Sequence, residues 1–409
     1  MKRLLVGLAI AVSLPLGAGR AHAAGFLIYD LSAEALGKAS AVVASTREPA
    51  AVWFNPAALA YEKHGLSLGA IGVTAKARFE PKNTAFPEAK TKPGRFVLPT
   101  FFAHAKVNDR IAVGFGAYPA FGLSITWPDD WQGREYVIKA AITTLALNPT
   151  VAVELLPQLS LGVGFSAVRA TVEFKNALPA VVGGMVEIGG GTWGYGANAA
   201  LLYRPLPETL HFGLTYRSRI ALNFNGRADF DPSPDFAPLL PDQGGKAKLT
   251  LPDILTAGVM WRPAEKVTLT VDSNLVFWST FERLVIDFDT APDKIMERNN
   301  HNSFTVRAGA EWQTPLEGFA LRGGFIFDQN PSPKETMAPS LPDANRLDFA
   351  LGVGYRSGNF KADVGYLLVY FLPSKAEGGM EKEGPEGTYH SLAQLLGVTV
   401  SVLFGAGAR

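Results

Sequence analysis

From His64 to Phe404 apolar and polar residues alternate with a period of two. In Leu159-Ser160-Leu161-Gly162-Val163-Gly164-Phe165-Ser166 every odd residue is apolar and every even one small or polar, and Leu210 to Asn225, Phe304 to Gln313 and Arg346 to Arg356 repeat the pattern. A strand turns successive side chains to opposite faces, so each segment has one apolar face. The pattern predicts fourteen strands, at 65–79, 95–107, 110–126, 136–155, 159–174, 192–204, 210–226, 246–261, 266–279, 302–313, 319–328, 345–356, 359–371 and 389–404. A soluble sandwich alternates too. These strands, however, mostly exceed the 5–6 residues usual in soluble sheets and reach the roughly 9–11 needed to cross a bilayer at a tilt.

The connections support the membrane reading, because short ones (Asn108-Asp109, Pro157-Gln158, 205–208, 262–265, 315–318, Ser357-Gly358) alternate strictly with long ones (80–94, 127–135, 175–191, 227–245, 280–301, 329–344, 372–388). A transmembrane barrel has short periplasmic turns and long outer loops, and an even strand count puts both chain ends in the periplasm. Trp193, Tyr203, Trp261, Trp278, Trp312, Tyr355, Tyr370 and Tyr389 fall near predicted strand ends, where interfacial girdles belong. Charged residues make up 18 % of the chain, against about a quarter in soluble proteins.

Residues 1–23 read as a signal peptide, with Lys2 and Arg3 before an apolar run and Ala21-His22-Ala23 as cleavage site. That run, and every later one, falls short of the roughly 18 apolar residues of a membrane-spanning helix. The chain divides into this export segment, residues 24–62, and a wall formed by residues 63–409. Residues 24–62 do not alternate. They are rich in Ala, Ser and Gly (Leu31-Ser32-Ala33-Glu34-Ala35-Leu36-Gly37), which favours short helices and turns. Fourteen strands enclose a lumen wider than wall side chains can fill, and this stretch is long enough to plug it. The fold class is therefore an all-β, fourteen-stranded antiparallel transmembrane β-barrel with an amino-terminal, partly helical hatch.

Several motifs resemble the FadL-type outer-membrane transporters of long-chain fatty acids and aromatic hydrocarbons. They are Ala24-Gly25-Phe26, Val52-Trp53-Phe54-Asn55-Pro56-Ala57-Ala58-Leu59, Ala120-Phe121-Gly122-Leu123, Trp131-Gln132-Gly133-Arg134-Glu135-Tyr136 and Leu147-Asn148-Pro149-Thr150-Val151-Ala152, spread in order over the mature chain. The resemblance implies a monomer in the bacterial outer membrane, surrounded by lipid and lipopolysaccharide. It also implies that a hydrophobic small molecule docks on the outer loops, enters a pocket near the chain's start and leaves sideways at a kink in the third strand. Gly25, Phe26, Asn55, Pro56 and Ala57 are then hatch residues, and Pro119, Phe121 and Gly122 mark the kink. Pro119 lacks a ladder donor and Gly122 tolerates unusual dihedrals, so a break in pairing is expected there on physical grounds as well.

Two outer loops carry much apolar surface: Leu178, Val182, Met185 and Ile188 in one, Phe230, Phe236 and Leu239 in the other. They either form a docking groove or pack on each other. A fatty acid's carboxylate would need a cation, and Arg169, Arg217, Arg219 and Arg307 are the candidates read as lumen-facing. The competing reading places such arginines, with Arg346, in charge networks with Glu154, Asp272, Glu311 and Asp348 that tie wall to plug. A net charge of +1 argues against a nucleic-acid partner, and the lack of cysteine removes disulfides and thiolate sites. The histidines have no spacing suited to catalysis or metal, and the glycine clusters at 183–184 and 189–191 lack the strand-to-helix setting of a phosphate loop. No enzyme, cofactor or metal is expected. The alternatives are uptake of neutral hydrocarbons by the same route and a general aqueous porin.

Overall fold

The computed structural model describes residues 25–62, 64–377 and 384–404; the expected signal peptide, 1–23, lies outside them. Fourteen antiparallel strands form the wall: β1 (His64–Pro81), β2 (Gly94–Lys106), β3 in two pieces (Ile111–Tyr118 and Gly122–Thr126), β4 (Lys139–Leu156), β5 (Leu159–Ala177), β6 (Gly184–Leu206), β7 in two pieces (Leu210–Arg217 and Ile220–Pro232), β8 in two pieces (Gln243–Leu251 and Ile254–Ala264), β9 (Val267–Val276), β10 (Ser303–Gln313), β11 (Phe319–Asp328), β12 (Arg346–Ser357), β13 (Phe360–Phe371) and β14 (Gly387–Phe404). The sheet closes on itself, since β1 pairs with β2 on one side and with β14 on the other, from His64↔Phe404 to Pro81↔Gly387. Closure leaves no free edge strand. No helix among the described residues is long and apolar enough to cross a membrane; the strands cross instead.

The alternation has the expected sense over most of the wall. Leu66, Leu68, Val163, Phe165, Leu351 and Val398 are exposed outward, and so are Trp193, Tyr203, Trp261, Trp312, Tyr355 and Tyr370. Trp278 and Tyr389 depart from the expected girdles. Both are fully buried, Trp278 in a short 3-10 turn beside Phe26 and Tyr389 against Phe79 and Trp127. Strand-end position in the sequence does not reveal on which side of the wall a ring lies. The outer connections are also shorter than expected, because strands continue above the membrane: β5 runs to Ala177 and β6 starts at Gly184.

Three strands are broken. In β3 the break is at Pro119-Ala120-Phe121. In β7 and β8 it falls at Ser218-Arg219 and Pro252-Asp253, side by side, since Arg217 pairs with Ile254 below and Ile220 with Leu251 above. Asp253 fastens this corner, accepting hydrogen bonds from Tyr216 Oη (2.6 Å), Arg219 N (3.0 Å) and Arg219 Nε (2.8 Å). Below the breaks the outward residues are apolar (Phe212, Leu214, Leu255, Val259). Above them the faces exchange: Ile220, Leu222, Phe224, Leu249 and Leu251 turn inward, while Asn223, Asn225, Lys246 and Lys248 point out. Reading 210–226 as one strand with one apolar face misses this, because the apolar positions stay even-numbered from Leu210 to Phe224 while the break turns them from the outer face to the inner one.

Residues 25–62 lie inside the barrel. Ser32 caps helix α1 (Ala33–Gly37) by accepting from Ala35 N (3.1 Å), and Asn55 caps a 3-10 turn (Pro56–Tyr61) by accepting from Ala57 N (3.1 Å). Asn55 Nδ2 also donates to Val43 O and to Leu201 O of β6, so one side chain orders the turn and ties it to the wall. Nearly every residue from Leu31 to Ala60 is buried. The small residues permit close approach. A Cβ on inward-facing Gly162 would lie 2.5 Å from Ala57 N, and one on Gly365 2.4 Å from Ala33 O.

Ion pairs reinforce the packing. Glu34 pairs with Lys38 (2.7 Å) and with Lys361 of β13, while Arg322 of β11 bonds both Glu311 and Asp363 at 2.7 Å. Glu34, Glu48 and Asp363 come close enough to share a cation, but Lys361 Nζ already stands between Glu34 and Asp363, 3.3 Å from the latter.

Candidate functional site

The break in β3 opens the wall. Below it β2 and β3 pair from Lys106↔Ala112 to Phe101↔Ala117; above it the two chain segments meet again where Lys92 N donates to Thr126 O, 2.8 Å. Nine residues separate these points on either strand (92 to 101 and 117 to 126), so the ladder parts and closes again in one register. Pro119 supplies no donor at the point of parting. The backbone groups it leaves are met from inside: Ile28 N donates to Ala120 O, Gly122 N to Phe26 O, and Leu27 bridges Phe121. The start of the inner segment thus stands in for the missing strand partner.

A cavity of about 700 Å³ lies behind this gap. Its lining joins the inner segment (Leu27 to Asp30), the broken strand (Pro119, Phe121, Gly122), charged wall residues (Arg307, Asp328, Arg346, Asp348) and outward-facing Val97, which is 69 % exposed. Interior and outer surface therefore share one cavity.

Above it sits a smaller, apolar pocket of about 140 Å³, lined by Leu123, Ile142, Phe224, Leu249, Phe281 and Met296 among others. The exchange of faces in β7 and β8 supplies Phe224 and Leu249. Phe26 lies between pocket and cavity, with its ring centroid 5.0 Å from Trp278, 6.0 Å from Phe121 and 6.3 Å from Phe281. Gly25, at φ +63°, holds the chain there; a Cβ would meet the Trp278 ring at 2.6 Å. Its amide donates to Asp343 Oδ2 of the outer loop at 2.8 Å.

Burial pushes the Asp343 carboxyl up to about 6, against the pull of Arg346 and of the Ala344 and Gly25 amides, while Asp328 adds to the rise. Two signs follow. A raised folded-state pKa contributes stability that is present at low pH and lost as pH rises through about 6. The Gly25 bond favours the ionised form, so that bond weakens as pH falls through the same point. The protection of the Gly25 amide, its exchange rate relative to the intrinsic rate at the same pH, should therefore fall below about pH 6, and Asp343→Asn, which still accepts a hydrogen bond, should remove that fall.

The expected carboxylate anchors divide. Arg217 and Arg307 face inward but serve the inner segment: Arg217 donates to Trp53 O (2.5 Å) and Val52 O (3.2 Å) and lies over the Trp53 ring, and Arg307 lies 4.1 Å over the Tyr29 ring. Arg169 and Arg219 are corrections. Arg169 shares the outward face of Val163 and Phe165, opposite exposed Trp193, and Arg219 is turned out by the break at 218–219 with its side chain 62 % exposed. Two cations line the apolar pocket: Lys246, which is exposed, and Arg298, which is buried and donates to Ser340 Oγ at 3.2 Å. Arg298 sits in an outer segment without strand periodicity, so no sequence signal marked it. Arg346 pairs with Asp328 at the end of β11, a wall residue outside the expected partners Glu154, Asp272, Glu311 and Asp348.

The expected docking loops pack on each other. Leu178 and Ile188 are buried with Val186, Ala228, Ile286 and Met296, and Val182, Phe230 and Leu240 pack against that cluster. Met185 and Phe236 are half-buried; Leu239, at 72 % exposed, and Val181, at 78 %, stay open to water.

Residues 14–404 match the family model described as outer membrane protein transport protein (OMPP1/FadL/TodX). Outer membrane protein P1 of Haemophilus influenzae is 26 % identical over 87 % of this chain and 88 % of its own length. The long-chain fatty acid transport protein of Escherichia coli K12 is 24 % identical over 94 % and 96 %. Among solved structures, a Pseudomonas aeruginosa FadL homologue superposes with TM-score 0.85 at 19 % identity, over 93 % of this chain and all of that one. The Pseudomonas putida toluene transporter TodX superposes with TM-score 0.74 at 15 % identity, over 94 % and 99 %. Barrel, outer-membrane setting and family agree: this chain belongs to the OMPP1/FadL/TodX family of outer-membrane transport proteins.

Proposed function

We propose that the protein takes up hydrophobic compounds, long-chain fatty acids first. The substrate reaches the apolar pocket from the outer loops, passes Phe26 and leaves through the gap in β3. The observation that carries this reading is the order of spaces: apolar pocket, Phe26, then a cavity that reaches the outer face. The inner segment acts as a hatch, since it fills the lumen below and its first residues close the pocket.

Fatty acids are favoured over neutral hydrocarbons by Arg298. A guanidinium at the wall of a dry pocket grips a carboxylate more strongly than it would in water. The relatives named as fatty acid transporters match along almost their full length. Mass spectrometry of ligands released from gently purified protein identifies the class carried. Arg298→Met should weaken oleate binding about tenfold, equivalent to about 1.4 kcal/mol, and leave toluene binding unchanged. Equal oleate affinity in the variant would shift the assignment to neutral hydrocarbons.

A further inference from the structure

The wall has a second place where the ladder is not continuous. Strands β6 and β7 pair up to Asn198↔Arg217 and again from Gly191↔Asn225. Between these points six residues of β6 (192–197) face seven of β7 (218–224) without regular pairing, and the one-residue slip is what turns the faces of β7 over. Two bonds from a single residue mark the lower edge, Ser218 N to Ala197 O and Ala197 N to Ser218 Oγ, both 2.9 Å.

Above that edge side chains close the seam. Ile220 and Leu222 lie over Gly194 and Gly196: a Cβ on Gly194 would meet Ile220 at 2.5 Å and Leu222 at 2.7 Å, and one on Gly196 would meet Ile220 at 2.8 Å. Behind Ile220 is a cavity of about 30 Å³ that reaches Trp53, Tyr118 and Phe121. Phe121 also lines the large cavity at the β3 gap. On the outer face the seam is flanked by exposed Trp193 and Tyr195, 47 % and 62 %, rings of the kind that sit where hydrocarbon meets headgroup.

We propose that this seam is a side entrance, through which compact, neutral, apolar molecules dissolved in the outer leaflet pass Ile220 and Leu222 and reach Phe121. Opening it swings Ile220 and Leu222 off the glycines and parts the seam at its lower edge, where only the two bonds of Ser218 to Ala197 give way. Charged substrates are excluded, because the one cation lining the cavity, Arg217, is held by hatch carbonyls. The inference rests on the reading of hydrophobic uptake, and adds a route that bypasses the pocket at Arg298.

The chain has no cysteine, so a disulfide can be placed without background. Ala197 and Ser218 are hydrogen-bonded neighbours across the seam, within the reach of a disulfide. In Ala197→Cys/Ser218→Cys, oxidised in cells, uptake of toluene delivered from phospholipid vesicles should be mostly lost and should return on reduction, which shows that the barrel is intact. Oleate delivered on a water-soluble carrier should enter at the wild-type rate in both states. Toluene uptake indifferent to oxidation overturns the side entrance, as does an equal loss of oleate uptake. Failure of the hydrophobic-uptake reading shows separately, as an absence of uptake of either compound by the wild type.

Discussion

Cells carrying Pro119→Val/Gly122→Val will take up oleate at least about tenfold more slowly than wild type, a barrier increase of about 1.4 kcal/mol, while the protein still reaches the outer membrane as a folded barrel. β2 and β3 leave and rejoin each other with equal numbers of residues on both strands, while against β4 residues 119–121 face only 144–145, so a closed ladder must also absorb that extra residue. Valine at 119 restores the missing donor, and valine at 122 prefers the extended backbone. Both favour the closed ladder over the bonds that Phe26 and Ile28 now make to Ala120 and Gly122. A Cβ at 122 also presses on the tip of Ile28, 2.9 Å away, pushing the hatch from the seat it would have to vacate. Oleate binding to purified protein should persist. Wild-type uptake with a demonstrably closed ladder would end the case for lateral release.

The second large effect concerns the plug. Lys361→Met removes a buried ammonium that pairs with Glu34 of the hatch and lies 3.3 Å from Asp363 of the wall. Truncating one partner of a buried ion pair costs roughly 3–5 kcal/mol, because the other charge stays behind unpaired. Lys38 still holds Glu34 at 2.7 Å, which places this loss at the lower end, about 3 kcal/mol. The loss falls on the hatch–wall contact and leaves the ladders untouched. Wild-type protein should give almost no current steps in a planar bilayer, and the variant should give frequent ones. A silent variant would mean that the hatch is held by its apolar packing alone.

Much of this architecture can be read from the residues. Strand length and the alternation of short turns with long connections carry the barrel, and the Ala-rich start carries the filling of its lumen. Asn55-Pro56-Ala57 marks a real cap, and Pro119 a real parting of strands. What escapes a sequence reading is which side of the wall a residue takes. Alternation extended through 219 puts Arg219 in the lumen, and a slip at 218–219 that no local signal announces turns it out; Arg169 shares the odd, apolar face of Val163 and Phe165, so the alternation itself places it outward. Trp278 was assigned to a girdle from its strand-end position alone. Arg298 was missed because its role comes from Ser340 and Met296 being brought beside it by separate outer segments.

The turned-over upper half of β7 and β8 bears on how the barrel is made. Its outer surface carries Arg227, Lys246 and Lys248, and each would cost about 2–4 kcal/mol at the middle of the bilayer. Charges of this kind belong outside the hydrocarbon, so the end of the hairpin that bears them is expected to stand above the interface at which the seam opens, and these charges must cross the membrane once, when the chain is assembled. Passing the hairpin through lipid would cost of the order of 10 kcal/mol for the three together, comparable to the stability of a whole domain. The hairpin is therefore expected to cross inside the forming barrel, sheltered by strands already in place, and the hatch to settle only after it has gone by.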